Sequence, residues 1–125
     1  MSYADKKVLV VDDSSVMRQI IKKTLKELGF ADVTDAEDGE AGFKKLKENP
    51  VHIVVSDWNM PKMTGIEFLK AVRADANLKA IPFLMVTSEA DKDKIMEAVQ
   101  SGVSQYIVKP FNANQLEEKI KAIFK

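Results

Sequence analysis

VVSDWNMPKMTG, residues Val54 to Gly65, starts in one kind of environment and finishes in another. Ile53, Val54 and Val55 make an apolar, β-branched run suited to a strand covered on both faces. The run ends abruptly on a carboxylate, Asp57. Pro61, which has no N–H for a sheet ladder, and Gly65 follow, so the strand must give way to a loop. In open α/β sheets ligands bind in the crevice outside the carboxyl ends of the strands, which makes Asp57 a candidate site residue.

Working outward, the flanking segments repeat the same alternation of apolar run and amphipathic helix. Lys7 to Val11 (KVLVV) is apolar after its lysine and stops at Asp12-Asp13, with Ser14 and Ser15 as good N-cap residues. The helix they open runs to about Leu28, with Val16, Ile20, Ile21, Leu25 and Leu28 expected on one stripe and Gly29 as terminator. Ala31 to Ala36 (ADVTDA) is a more polar strand, suited to an edge. A second helix opens at Asp38-Gly39, carries Phe43 and Leu46, and stops at Asn49-Pro50. His52 to Asp57 is the third strand, and Ile66 to about Ala74 the third helix.

Pro82 introduces a fourth strand, Phe83 to Val86, which ends on Thr87-Ser88-Glu89. Asp91 to Ser101 reads as a short helix carrying Ile95, Met96 and Val99, closed by Gly102. Tyr106 to Val108 is a fifth strand, ending at Lys109-Pro110. The last helix has Asn112 at its N-cap and Gln115 at capping-box spacing, with Leu116, Ile120, Ile123 and Phe124 on its apolar face.

Alternating strand–helix units imply a parallel α/β sheet with helices on both faces and right-handed crossovers. The apolar strands one, three and four belong in the centre and the polar second strand at an edge. That favours the doubly wound, flavodoxin-like order 2-1-3-4-5. A chain of 125 residues without linker, repeat or low-complexity segment suits a single domain, residues 1–125. Nineteen basic residues balance nineteen acidic ones, so bulk charge gives no support to a nucleic-acid or membrane-surface partner. The absence of cysteine excludes disulfides, thiolate catalysis and Cys-type zinc sites. No apolar run is long enough to span a bilayer and MSYADKK lacks the core of a signal peptide, so a cytoplasmic location is expected.

In a parallel sheet all carboxyl ends lie on one edge. That edge gathers Asp12 and Asp13 from strand one, Asp57 from strand three, Thr87 from strand four and Lys109 from strand five. Close carboxylates disfavour one another's ionisation, and a hard divalent cation removes the penalty. The set therefore points to Mg²⁺ with a phosphoryl group, with one carboxylate as nucleophile and Lys109 and Thr87 serving the phosphoryl oxygens. Taken singly, each residue has a plainer role: Asp12-Asp13 suits a helix start, an Asp after a strand a turn, and a Lys before Pro a solvated charge. Turn chemistry does not readily supply all of them on one edge. No GxxxxGK phosphate loop and no GxGxxG occurs, which argues against a nucleotide.

VLVVDDSS, VVSDWNMPKMTG, MVTSE and YIVKPF, in this order and spacing, are where the chain resembles the receiver domain of bacterial two-component response regulators, over its full length. Within that family the DWNMP run and the YIVKPF ending are most similar to single-domain chemotaxis regulators. The resemblance implies Asp57 as phospho-acceptor from a sensor histidine kinase, in a stoichiometric switch rather than an enzyme. It implies Mg²⁺ held by Asp12, Asp13, Asp57 and the Asn59 backbone carbonyl, with Thr87 and Lys109 on the phosphoryl group. Tyr106 matches the family's switch aromatic, and Asn59 and Glu89 match positions that tune dephosphorylation. The implied output is a flagellar motor switch protein, with a phosphatase as a further partner and the chain itself a monomer. Ser88, where such proteins often have alanine, and Lys62, beside the acidic pocket, are departures.

Two other functions compete: a phosphorelay intermediate or phosphate sink, and a Mg²⁺-dependent aspartyl-phosphate phosphohydrolase. The second is disfavoured because Asn59 stands where a second acid would be needed and there is no room for a substrate cap. His52, the one histidine, opens its strand away from the carboxyl edge and reads as a surface residue. Met60 and Met63 suit either an adaptable surface or the filling of gaps. Trp58, the single tryptophan, adjoins Asp57 and should report on it.

Overall fold

The computed structural model describes residues 3–88 and 91–124. Its elements are β1 (Lys7–Val11), α1 (Ser15–Glu27), β2 (Asp32–Ala36), α2 (Gly39–Glu48), β3 (Ile53–Asp57), α3 (Gly65–Ala74), β4 (Phe83–Thr87), α4 (Lys92–Gln100), β5 (Gln105–Val108) and α5 (Ala113–Ile123). The strands form one parallel sheet in the order β2-β1-β3-β4-β5. The order follows from burial: every residue of β3 and β4 is buried, whereas β2 and β5 are partly wet, as edges must be.

Successive strand residues point to opposite faces, and the two faces make two cores. Leu9, Val11, Val54, Phe83 and Met85 face Leu46 of α2, Phe68, Leu69 and Val72 of α3, and Ala98 of α4. Val8, Val10, Ile53, Val55, Leu84 and Val86 face Ile21 and Leu25 of α1 and Leu116 and Ile120 of α5. Tyr3 closes the second core, stacked on Phe30 at 4.7 Å between ring centroids.

Each helix start has its own cap. Ser14 accepts from the Met17 amide, Asp38 from Ala41, and Asp91 from Asp93 and Lys94. Asn112 and Gln115 form the expected capping box, and Thr64 with Glu67 forms a second at α3.

Two stripes differ from expectation. On α1, Ile21 and Leu25 are buried but Val16 and Ile20 are 68% and 50% exposed. At 100° per residue the buried line runs Met17, Ile21, Leu25, Leu28, and Val16 and Ile20 lie beyond its flank. On α4 the inward residue is small, Ala98, leaving Met96 and Val99 exposed. Met60 belongs to the core and Met63 packs against it, so the methionines fill gaps. Among the described residues no helix is long and apolar enough to cross a membrane.

Candidate functional site

The sheet register brings the strand ends together. Asp57 pairs with Val86, whose carbonyl accepts from the Trp58 amide at 3.0 Å, so the β3–β4 ladder continues just past the carboxylate. Thr87 pairs with Val108, and the Thr87 carbonyl accepts from the Lys109 amide at 2.7 Å. On the other side, the Asp12 amide donates to the Ala36 carbonyl at 3.2 Å as β1 gives way to the turn before α1.

Asp12, Asp13 and Asp57 thereby present carboxylate oxygens within 4.8 Å of one another. Asp12 and Asp57 are buried and Asp13 is exposed. Lys109 reaches between the buried two, its Nζ 3.3 Å from Asp57 Oδ1 and 3.5 Å from Asp12 Oδ2. Burial, and next the Asp12 carboxylate, push the Asp57 carboxyl above its ordinary value, and Lys109 offsets this in part. Asp12 Oδ1 accepts from the Ser14 amide at 2.8 Å, whereas Asp12 Oδ2 is a buried oxygen with no hydrogen-bond partner. A buried carboxylate oxygen that lacks a hydrogen bond, in a cluster with two further carboxylates, fits a hard cation with oxygen ligands, such as Mg²⁺.

The other candidates fall around this centre. Asn59 is exposed in the loop after β3. Thr87 is buried and lines a narrow void with Trp58, Lys94, Ile95 and the half-buried Tyr106. Lys119 caps the Tyr106 ring from outside at 5.3 Å, and Lys94 caps Trp58 at 5.1 Å. Trp58 itself is buried, so it reports on the packing of α4 as well as on Asp57. Lys62, whose influence is unreadable in sequence, reaches toward Asp38 Oδ2 at 4.0 Å and has a left-handed φ of 65°. His52 is exposed, and its Nδ1 accepts from the Lys7 amide at 2.9 Å at the opposite edge of the sheet. Glu89 lies outside the described residues.

Two contributors escaped the sequence reading. Gly65, taken there only as a chain break, brings α3 against the Asp57 main chain: its amide donates to the Trp58 carbonyl at 2.8 Å. A Cβ there would lie 2.2 Å from the Asp57 carbonyl oxygen, so the strand–helix connection needs glycine. Arg18, on the flank of the buried line of α1, donates to the Asp12 carbonyl at 2.7 Å. Nothing in its spacing distinguishes it from a solvated helix cation.

Comparison with known proteins fits this geometry. The model of the response regulator receiver domain matches residues 8–121. Chemotaxis protein CheY of Pseudomonas aeruginosa is 53% identical over 118 residues, 94% of this chain and 95% of that protein. Chemotaxis protein CheY-3 of Vibrio cholerae is 51% identical, covering 94% and 91%. Among solved structures, chemotaxis response regulator CheY4 of Vibrio cholerae superposes with a TM-score of 0.88 at 39% identity, over 94% of this chain and 98% of that one. The Francisella response regulator 1452 receiver domain gives 0.86 at 30% identity, over 95% and 96%. The chain, with its carboxylate pocket at the sheet edge, belongs to the response regulator receiver domain family.

Proposed function

We propose that the chain is a phosphorylation-operated signalling switch with Asp57 as acceptor. The observation that carries this reading is the Asp57–Lys109–Asp12 arrangement, with Asp12 Oδ2 buried and without a hydrogen bond. An Asp57 oxygen attacks the phosphorus of a phosphohistidine on a sensor kinase. The P–N bond breaks, and its electron pair leaves with the imidazole, which takes up a proton. Lys109 supplies positive charge to the incoming phosphoryl oxygens and Thr87 a hydroxyl donor. Mg²⁺ held by Asp12, Asp13, Asp57 and the Asn59 carbonyl would offset the carboxylate charge and bind a phosphoryl oxygen. Turnover of small substrates is not part of the role.

The output is a change of affinity for another protein. Thr87 and Tyr106 line one void, which supports a reading in which Thr87, drawn to the phosphoryl group, makes room for the Tyr106 ring. Asn59 and Glu89 are the positions proposed to set the lifetime of the phosphorylated state. The chemotaxis names of the relatives support a flagellar motor switch protein as target.

Incubation with acetyl phosphate and Mg²⁺ should add the mass of one phosphoryl group to wild type and none to Asp57→Asn. Labelling of Asp57→Asn to the wild-type extent would displace Asp57 as acceptor. Binding of a purified motor switch protein should then strengthen on phosphorylation. Phosphoryl passage to another histidine protein without such binding would leave a relay or sink.

A further inference from the structure

We infer that Arg18 is a positioning residue for the acidic pocket: oriented by Asp35, it fixes the Asp12 main chain so that Asp12 Oδ2 is aimed at the metal. The inference rests on the Mg²⁺ reading above and assigns a role to residues outside the carboxylate cluster.

Asp12 stands between two hydrogen-bonding systems. The β1 ladder ends at Val11, and the intrahelical bonds of α1 begin at the Ser14 carbonyl, which accepts from the Arg18 amide at 3.0 Å. The Asp12 carbonyl therefore falls outside both strand and helix. Arg18 Nη1 supplies its donor at 2.7 Å. With the amide bound to Ala36 and Oδ1 bound to the Ser14 amide, three of the four polar atoms of Asp12 are fixed. The fourth, Oδ2, is buried without a hydrogen bond and has only the Lys109 ammonium beside it, at 3.5 Å. Fixing the rest of the residue leaves Oδ2 a single direction in which to point.

The guanidinium is itself held. Arg18 Nε donates to Asp35 Oδ2 at 2.9 Å, and Lys22 lies 3.4 Å from Asp35 Oδ1. The planar fork of arginine can serve a carboxylate and a carbonyl at once, which the single ammonium of a lysine does poorly. A cation in the first turn of a helix also opposes the helix dipole. Arg18 therefore stands where helix stability alone disfavours it.

Two accounts of Arg18 differ in sign. As a nearby positive charge it repels Mg²⁺, and removing it would tighten metal binding. As a positioning residue, its removal frees the Asp12 carbonyl and weakens metal binding. Partners of metal ligands typically contribute about 10–100-fold in affinity.

The experiment is calorimetric titration of Mg²⁺ into wild type, Arg18→Met, Arg18→Lys and Asp35→Asn, with melting temperatures measured metal-free. Arg18→Met should weaken Mg²⁺ binding about tenfold. Arg18→Lys, which keeps the charge, should also weaken it, and it decides the matter if Arg18→Met does not fold. Asp35→Asn should shift affinity the same way, and the double variant with Arg18→Met should lose less than the sum. In the metal-free protein, the Asp13 amide resonance, which shares a peptide unit with the Asp12 carbonyl, should move in both arginine variants. Unchanged or tighter Mg²⁺ binding beside a lowered melting temperature would overturn the inference and leave Arg18 a structural tie. Failure of wild type to bind Mg²⁺ would instead overturn the metal reading, and this inference with it.

Discussion

Asp57 is held at odds with its surroundings. Burial and the Asp12 carboxylate raise its pKa, so the folded state binds that proton more tightly than the unfolded chain does. A raised carboxyl contributes stability below the unfolded value, near 3.8, and loses it as pH rises through the folded value. Asp57→Asn mimics the protonated form at every pH. Without divalent metal its melting temperature should exceed that of wild type at neutral pH. The gap should close as pH falls below the carboxylate range. Saturating Mg²⁺ should narrow or reverse it at neutral pH, because metal stabilises the protein that binds it. An Asp57→Asn protein no more stable than wild type in metal-free neutral buffer would contradict this account. Asp35 has the opposite sign: burial raises its pKa, but Arg18 and Lys22 outweigh that and lower it. It contributes stability above the unfolded value and loses it as pH falls through the folded one.

At the scale of the element, what the sequence makes legible is what depends on local pattern. Asp57, Asp12, Asp13 and Lys109 are visible because apolar runs end on them, and a parallel sheet places all such ends together. The Asn112–Gln115 box is visible because its spacing is its mechanism. Thr64 and Glu67 carry the same signature, but Pro61 and Gly65 draw attention to loop rather than helix start. Close approach is the hardest feature to read. Gly65 looks like a chain break, yet it is the first residue of α3 and has no room for a Cβ beside the Asp57 carbonyl. Gly65→Ala should therefore act at the strand–helix connection. Relief requires α3 or the Asp57 main chain to shift, at a cost of about 1–3 kcal/mol. The denaturant midpoint should fall, and acetyl phosphate labelling of Asp57 should slow even in the fully folded protein. Wild-type stability with wild-type labelling would mean that the connection absorbs the methyl group freely.

At the scale of the whole molecule, the two cores are unequally legible. The core under α2, α3 and α4 could be read from the apolar runs of the strands and from Phe43 and Leu46 of the second helix. The core under α1 and α5 depends in addition on Tyr3, ahead of the first strand, in a segment whose sequence looks polar and terminal. Tyr3 is 3% exposed, stacked on Phe30 with an interplanar angle of 3° and tilted against Phe124 at 5.8 Å. These three rings join the segment before β1, the turn before β2 and the residue that caps the end of α5. No local period signals such a contact, because its partners lie at opposite ends of the chain. Burying an aromatic ring removes a large apolar area from water, and truncating one to alanine costs about 3–5 kcal/mol. Tyr3→Ala should lower the unfolding free energy by about that amount, and Tyr3→Phe should retain most of it because ring packing is preserved. The cluster lies beyond the amino end of β1, at the opposite edge from Asp57. Labelling of Asp57 by acetyl phosphate in folded Tyr3→Ala should therefore match wild type. A slower rate would show that the core under α1 and α5 and the carboxylate edge are coupled through β1, the strand that connects them.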